Sequence, residues 1–408
     1  MARSQTFRPE HEPLRDNKAL NIDPGKITGP FAFLNPTRAH FTHTPPKKQD
    51  EAESSTPSSD EGAAKDASKI EYKWTSRNNR KGRHALVVPP TAPVMVQGRS
   101  SSEKAVLHGI MRMLTQYPVW DISWLVAVIF TLGSVIWVIN AFFVFLPLTN
   151  PKTEFNGEVL YGGGVTAFIG ATIFEIGSVL LMLEAVNENR TGDFGWALEE
   201  SYDGLGGERG SHMLLTPSKA ACTHHHANPK NLVGKPASAD KVDGPTEGHS
   251  WQWYPSLHDL QTMYIHDLGF LACSWQMFGA TIFWISGFTA LPGIYNYLSP
   301  AALKGAFWAP QIIGGFGFVA SGTLFMLETQ KKWWLPAINV LGWHIGAWNL
   351  IGGVGFFLCP IFGLKTAAYW QFQSSCATFW GSWAFLVGSV IQWYESLDKH
   401  PVENKKEA

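Results

Sequence analysis

Several features that usually reveal a protein's chemistry are scarce in this sequence. The four cysteines form no Cys-x-x-Cys pair and no disulfide framework, so we expect free thiols. A net charge of −1, with no recognisable basic module, argues against nucleic-acid binding. Residues 1–13 contain no apolar run, so a cleavable signal peptide is not expected. No nucleophile–base pair or metal signature lies at a plausible depth. We therefore predict no catalytic residues, metal or cofactor, and an enzyme is the least favoured class of function.

Six long apolar stretches are nearly free of charge, and this scarcity is the most informative feature of the chain. An α-helix needs about 20 such residues to cross roughly 30 Å of hydrocarbon. The stretches lie at 120–148, 161–183, 264–291, 306–327, 335–361 and 375–394. The polar segments 1–104 and 187–261, rich in Gly, Pro and Ser, explain why the average composition suggests a soluble protein. The sequence predicts an all-α polytopic membrane protein with six transmembrane helices and a disordered N-terminal tail.

Basic residues near the predicted bilayer indicate how the helices are oriented. Arg112, Arg190, Lys331, Lys332 and Lys399 all fall on one side of it. Because loops rich in Lys and Arg stay in the cytosol, both termini are predicted to be cytosolic. The lipid bilayer is the one partner that this pattern requires, and it does not indicate whether the membrane is the plasma membrane or an endomembrane.

A recurring pattern of small residues links the six stretches. The segment Gly170–Phe174 recurs unchanged as Gly279–Phe283. Looser copies begin at Gly133, Gly314, Gly346 and Gly381, and a second glycine follows seven residues later at Gly177, Gly353 and Gly388. On a helix these positions share one stripe, where small side chains let helices pack closely. We predict three copies of a two-helix hairpin, which could close around a pseudo-threefold axis or associate as a homo-oligomer.

Acidic residues mark the predicted cytosolic ends of the helices. Glu184, Glu328 and Glu395 follow the motif glycine of spans 2, 4 and 6 at one fixed offset. Asp121 and Asp267 precede the motif glycine of spans 1 and 3 at a second fixed offset. The third hairpin has Trp334 at the equivalent position and so departs from the pattern. Two interpretations stay open: solvated helix ends that face nearby Lys and Arg, or a vestibule that attracts cations.

The Gly-small-x-x-aromatic, Gly-Ser pattern, as in Gly170–Ser178 and Gly381–Ser389, resembles the YrhK-type two-helix membrane domain. A long polar tail followed by Pro118–Asp121 and Leu183–Asn189 is similar to fungal integral membrane proteins that carry this domain. The resemblance covers about 117–197 and 262–397. It implies membrane hairpins and a fungal source, and it brings no functional residues with it.

Glu175 is the only fully charged residue deep within a predicted span. A carboxylate at that depth is costly, which makes it a candidate functional group. His344 in span 5 falls at a similar depth and helical angle, so the two could relay protons or coordinate a cation if spans 2 and 5 touch. The alternative is a protonated Glu175 that is hydrogen-bonded to a neighbouring helix.

Three features of the polar segments complete the candidates. The run His224–His226 beside Cys222 lacks the ligand spacing of a zinc site. Arg77, Arg80, Lys81 and Arg83 form a basic cluster that could contact anionic lipid or be a solvated disordered run. Ala105–Tyr117 has one apolar side and predicts an interfacial helix.

The predicted organisation is a cytosolic tail (1–104), an interfacial helix (105–116), three hairpins (117–186, 262–330, 333–397), a cytosolic loop (187–261) and a short tail (398–408). Two functions fit it. The first is a membrane scaffold or sensor whose tail and loop bind cytosolic proteins. The second is a transporter or channel for a small solute, proton or ion that uses Glu175 and His344.

Overall fold

The structure is a computed structural model of the chain. It describes residues 5–8, 12–14, 20–43, 71–88, 102–195, 197–198, 214–215 and 251–404, and every structural statement below concerns these residues. The run His224–His226 and Cys222 lie outside them.

Six helices are long and apolar enough to cross a membrane, which confirms the six predicted spans. Numbered 1 to 6, they are Ile122–Thr149, Glu158–Val186, Leu268–Thr289, Pro300–Glu328, Leu341–Gly363 and Ala368–Ser396. Asp121 and Asp267 cap spans 1 and 3 by accepting hydrogen bonds from the backbone N–H groups of Ser123 and Phe270. These aspartates therefore have a local structural role at the helix ends.

The six spans form a closed ring. Each packs against its neighbours in the chain, and span 6 packs against span 1. Spans 2 and 5 consequently lie on opposite sides of the ring and do not form one of its packed pairs.

The centre of the ring is filled by one aromatic side chain from each span, all buried. They are Trp137, Phe174, Phe283, Phe318, Phe356 and Phe385. The three from odd spans form a triangle with ring centroids 4.9–5.8 Å apart, and the three from even spans form a second triangle at 5.6–6.4 Å. The aromatic core thus has approximate threefold geometry, with one residue of each triangle supplied by each hairpin.

Glycines of the predicted packing stripe lie where neighbouring helices approach. A Cβ added to Gly279 would stand 2.9 Å from the carbonyl oxygen of Gly314, and one added to Gly353 would stand 2.8 Å from the backbone of Phe318. Such distances leave no room for a side chain. Glycine at these positions therefore permits close contact of backbones, as expected where lipid removes the hydrophobic drive for helix association.

In span 5 the structure favours a different motif glycine from the one that spacing suggested. The core aromatic follows the motif glycine by four residues in the other spans, but Phe356 stands in that relation to Gly352 and not to Gly346. The residue equivalent to Asp121 and Asp267 is then Val340, which occupies the N-cap of span 5, and not Trp334. Gly346 is packed as well, against the backbone of Met326.

Part of the segment expected to be a disordered tail is folded. Strands β1 (Leu20–Ile22), β2 (Arg38–His43), β3 (Glu71–Thr75) and β4 (Ala85–Val88) form an antiparallel sheet, and α1 (Ser76–Arg80) connects β3 to β4. Later in the chain, β5 (Leu214–Leu215) pairs with β6 (Trp251–Gln252). Strand β7 (Val402–Asn404) then joins the first sheet, parallel to β4. The prediction of disorder is wrong for β1 to β4, because Phe41, Tyr72 and Trp74 give the sheet its own apolar core.

Helix α2 (Glu103–Thr115) confirms a helix before span 1, and Ser102 caps it. Leu107, Ile110 and Leu114 are exposed along one side. Its position in the membrane interface stays a prediction.

Candidate functional site: an ion-pair cluster at one end of the bundle

The sheet and α1 lie against the end of the ring where spans 2, 4 and 6 finish, here called the capped end. Thr75 ends β3 and accepts a hydrogen bond from the backbone N–H of Asn78, which starts the short helix α1. The helix ends at a turn through Gly82, whose φ of +58° favours glycine. This compact β3–α1–β4 connection carries four cations in seven residues.

All four cations are buried against the glutamates that end the even spans. Two oxygens of Glu328 accept from Arg80, at 2.7 and 3.0 Å. Glu395 accepts from Arg77 at 2.7 Å and from Arg83 at 2.9 Å, and Glu184 accepts from Lys81 at 3.3 Å. We call these seven residues the ion-pair cluster: Arg77, Arg80, Lys81, Arg83, Glu184, Glu328 and Glu395.

The desolvation of these groups is nearly complete. The side chains of Arg80 and Lys81 are 1% and 2% exposed, and those of their partners Glu328 and Glu184 are 0%. Burial lowers the pKa of Lys81. Burial acts on Arg80 in the same direction, but the neighbouring groups, chiefly Glu328, together raise the pKa of Arg80 above its ordinary value. Removing one partner of such a pair typically costs about 3–5 kcal/mol, because the other charge is left buried and unpaired.

Polar contacts around the ion-pair cluster also connect it to the C-terminal segment. Lys399 donates to the carboxylate of Asp121 at 2.6 Å and to the carbonyl of Lys81 at 2.9 Å. Asn79 donates to Glu188 at 2.6 Å, and burial raises the pKa of Glu188 to about 8. Segments distant in sequence are thus joined at the capped end.

A cavity of about 30 Å³ lies inside the ring below the cations, with room for about two water molecules. Arg77, Arg80 and Lys81 line it. Gln276 and Gln392 also line it, and each is only 9% exposed. The aromatic core lies beyond, so the axis of the ring is filled at its centre and closed at its capped end.

No family model, curated protein or solved structure matches the chain. The resemblance to the YrhK-type domain stays a prediction.

The structure does not bring Glu175 and His344 together. Glu175 lies between spans 2 and 3, where it accepts a hydrogen bond from the hydroxyl of Thr281 at 3.0 Å. His344 lies near the start of span 5, and its Nε2 is 2.7 Å from the carbonyl oxygen of Ile338. The proposed pair required contact between spans that the ring places on opposite sides. Glu175 instead fits the alternative of a hydrogen bond to a neighbouring helix.

The sequence patterns contain both halves of the ion-pair cluster but do not show that they meet. The glutamates were expected to be solvated or to line a vestibule, and the cations to contact lipid or solvent. Both expectations are wrong for these residues, because each set buries the other. One signal was available: the sequence offers three carboxylates at equivalent helix ends and, in the tail, a compact group of cations to match them.

Proposed function

We propose that this chain is a membrane scaffold or sensor that holds a small sheet domain in a fixed position at the cytosolic surface. The observation that carries the proposal is the ion-pair cluster, which joins the sheet to the ends of three spans. Buried, paired charges favour one arrangement over others, because any shift of the domain would leave a charge without its partner in a site that excludes water. A domain fixed in this way would present partners with a defined surface.

The filled axis also supports a function without transport. Six aromatic side chains occupy the centre of the ring, and the chain's own N-terminal segment covers the capped end. Passage of a solute along this axis would require the aromatic core to rearrange and the ion pairs to break. Both changes are costly, because interiors are close-packed and buried ions depend on their partners.

A gated transporter or channel is the second candidate, favoured by one observation. The cavity below the ion-pair cluster presents the amides of Gln276 and Gln392 inside a membrane bundle. Polar groups at that depth often mark a pathway. On this alternative, release of residues 71–88 would open the pathway.

Flux measurements on reconstituted vesicles separate the two candidates. We expect the full chain, Glu175→Gln and a chain that lacks residues 1–104 all to match protein-free vesicles for protons, Na⁺, K⁺, chloride and a panel of small neutral solutes. Glu175→Gln is matched in size to the wild type and keeps an acceptor for Thr281. Flux through the full chain that Glu175→Gln abolishes would establish a carrier, and flux only after truncation would establish a gated channel.

Two further statements belong to the same proposal. The two aromatic triangles and the repeated glycine positions support descent of the three hairpins from one unit, of the YrhK type. The basic residues near the helix ends support a cytosolic capped end. Mapping the accessibility of tags at residues 156 and 366, on the opposite end, tests this orientation, which is wrong if those tags are reached from the cytosol.

A further inference from the structure

A second cavity, of about 950 Å³, opens at the capped end between the sheet and the loop that precedes span 5. Its walls come from β2, β3 and β7, from the ends of spans 4 and 6, and from residues 335–342. The volume is within the range of sites that bind small molecules. It is separate from the narrow cavity inside the ring, and the ion-pair cluster forms part of its wall.

Arg38, on β2, is one of the residues that line this cavity. Its Nε is buried without a hydrogen-bond partner, and in the described part of the chain its side chain makes no ion pair or hydrogen bond. Burial lowers the pKa of Arg38, and Glu403 is the one carboxylate that offsets this. Glu403, however, already accepts two hydrogen bonds from Lys73, at 2.7 and 2.6 Å.

The other charges that line the cavity are mostly paired. Glu395 and Glu328 are held in the ion-pair cluster, and Asp398 lies 4.0 Å from Arg112. Lys331, at the end of span 4, has no ion pair or hydrogen bond in the described residues and lines the same cavity. Two unpaired cations, Arg38 and Lys331, thus face one space, and this favours an anion as its occupant. Arginine is well suited to phosphate because its donors can bind two oxygens together.

The loop beside the cavity has the character of a membrane surface. Trp333 and Trp334 are 59% and 60% exposed, and Leu335 and Ile338 are exposed as well. Span 5 begins at Leu341, directly after this loop, so these side chains lie near the level where the bilayer starts. Exposed indoles prefer that interface. A ligand in the cavity would therefore have its charged part beside Arg38 and apolar surface alongside.

We propose that this cavity binds the headgroup of an anionic phospholipid, with its phosphate on Arg38 and Lys331 and its acyl chains along Leu335 and Ile338. A soluble anion would use the two cations but not the exposed apolar loop, and this is why a lipid is the better fit. The proposal is independent of whether the ring transports a solute.

The test compares the thermal stability of the full chain in nanodiscs of phosphatidylcholine alone and of phosphatidylcholine with phosphatidylserine or a phosphoinositide. Anionic lipid should raise the unfolding temperature of the wild type and leave Arg38→Gln almost unchanged. In neutral lipid Arg38→Gln should equal or exceed the wild type, because it removes an unpaired buried charge. Arg8→Gln is the matched control, since Arg8 is an exposed arginine of the same terminal segment that does not line the cavity.

Direct binding of the anionic lipid, followed by native mass spectrometry, should weaken about tenfold or more in Arg38→Gln, as expected for loss of a charge-assisted hydrogen bond. Lys331→Gln should also weaken the binding of the anionic lipid. An unchanged affinity in both variants would overturn the proposal. So would an equal stabilisation of the wild type by inorganic phosphate or a soluble inositol phosphate, which would assign the cavity to a soluble anion. If Arg38→Gln does not fold, Arg38→Lys, which keeps the charge but loses the two-oxygen geometry, decides the matter by the same measurement.

Discussion

At the scale of single residues, the contact between Gly269 and Arg80 shows how tightly the ion-pair cluster is built. The guanidinium of Arg80 lies directly over Gly269, in the first turn of span 3, while it binds Glu328 of span 4. A side chain at position 269 would occupy the space that the guanidinium needs. The absence of a side chain in one span is therefore a condition for an ion pair with another.

Gly269→Ala should destabilise the protein by on the order of 3 kcal/mol. The added methyl group would overlap Arg80 Nη1, and displacement of Arg80 would leave Glu328 buried without its main partner. Thermal unfolding in detergent measures the effect. Gly305→Ala is the control, because a Cβ there meets nothing within 4 Å. Equal unfolding temperatures for the two variants would show that Arg80 does not depend on this space.

At the scale of elements, the edge of the sheet joins the two ends of the described chain. Strand β7 pairs in parallel with β4, and the backbone N–H groups of His84 and Leu86 donate to the carbonyls of Lys399 and Pro401. His84 also stacks on His400, with ring centroids 5.9 Å apart. A titratable group is thus placed at the junction between the N-terminal sheet and the C-terminal strand.

Acid should weaken this junction. Burial, together with His400 and Lys399, lowers the pKa of His84 from 6.5 to about 4. Because the folded protein binds this proton less readily than the unfolded chain, stability should be full above about pH 6.5 and fall progressively towards pH 4, by roughly 2–3 kcal/mol. Unfolding temperatures between pH 7 and pH 4 should fall less steeply in His84→Gln than in the wild type.

His258→Gln is the matched control for this measurement, since His258 is exposed on the short helix Leu257–Thr262. Its pH profile should follow that of the wild type. A profile for His84→Gln identical to both would place the acid sensitivity in another group.

At the scale of the whole molecule, the ring and its cap form one closed unit. The aromatic core fills the centre, and the ion-pair cluster covers the small polar cavity on the capped side. Ser389 lines that cavity and is 3% exposed. Access to this position therefore reports whether the N-terminal segment is in place.

Ser389→Cys, in a chain whose native cysteines are replaced by alanine, should react with a small water-soluble maleimide only after residues 1–104 are removed. We expect labelling to be at least about tenfold faster in the truncated chain, since a group within a closed interior reacts only when the structure opens. Ser256→Cys, at an exposed position, should be labelled equally in both chains and controls for the reactivity of the maleimide in the same detergent. A helical circular-dichroism spectrum and a cooperative thermal transition show that the truncated protein is folded. Rapid labelling of position 389 in the full-length chain would contradict a closed cap.

The sequence by itself determined the number of spans, the approximate position of each and the small-residue faces through which they pack. These features are local: hydropathy over about 20 residues sets a span, and a run of glycines sets a smooth helix face. The same local signals misplaced the motif of span 5, because Gly346 and Gly352 both lie in a glycine-rich helix and only packing against the aromatic core distinguishes them.

Tertiary structure alone decided which charges meet. Arg80 and Glu328 are separated by 248 residues, and no local pattern specifies that contact. Closure of the ring brings Glu184, Glu328 and Glu395 within reach of one cationic segment. The same closure places spans 2 and 5 apart, which removes the proposed contact between Glu175 and His344. Burial then made each carboxylate dependent on a cation, because a desolvated charge is stable only beside its opposite. These ion pairs hold the described N-terminal strands and α1 against the ring.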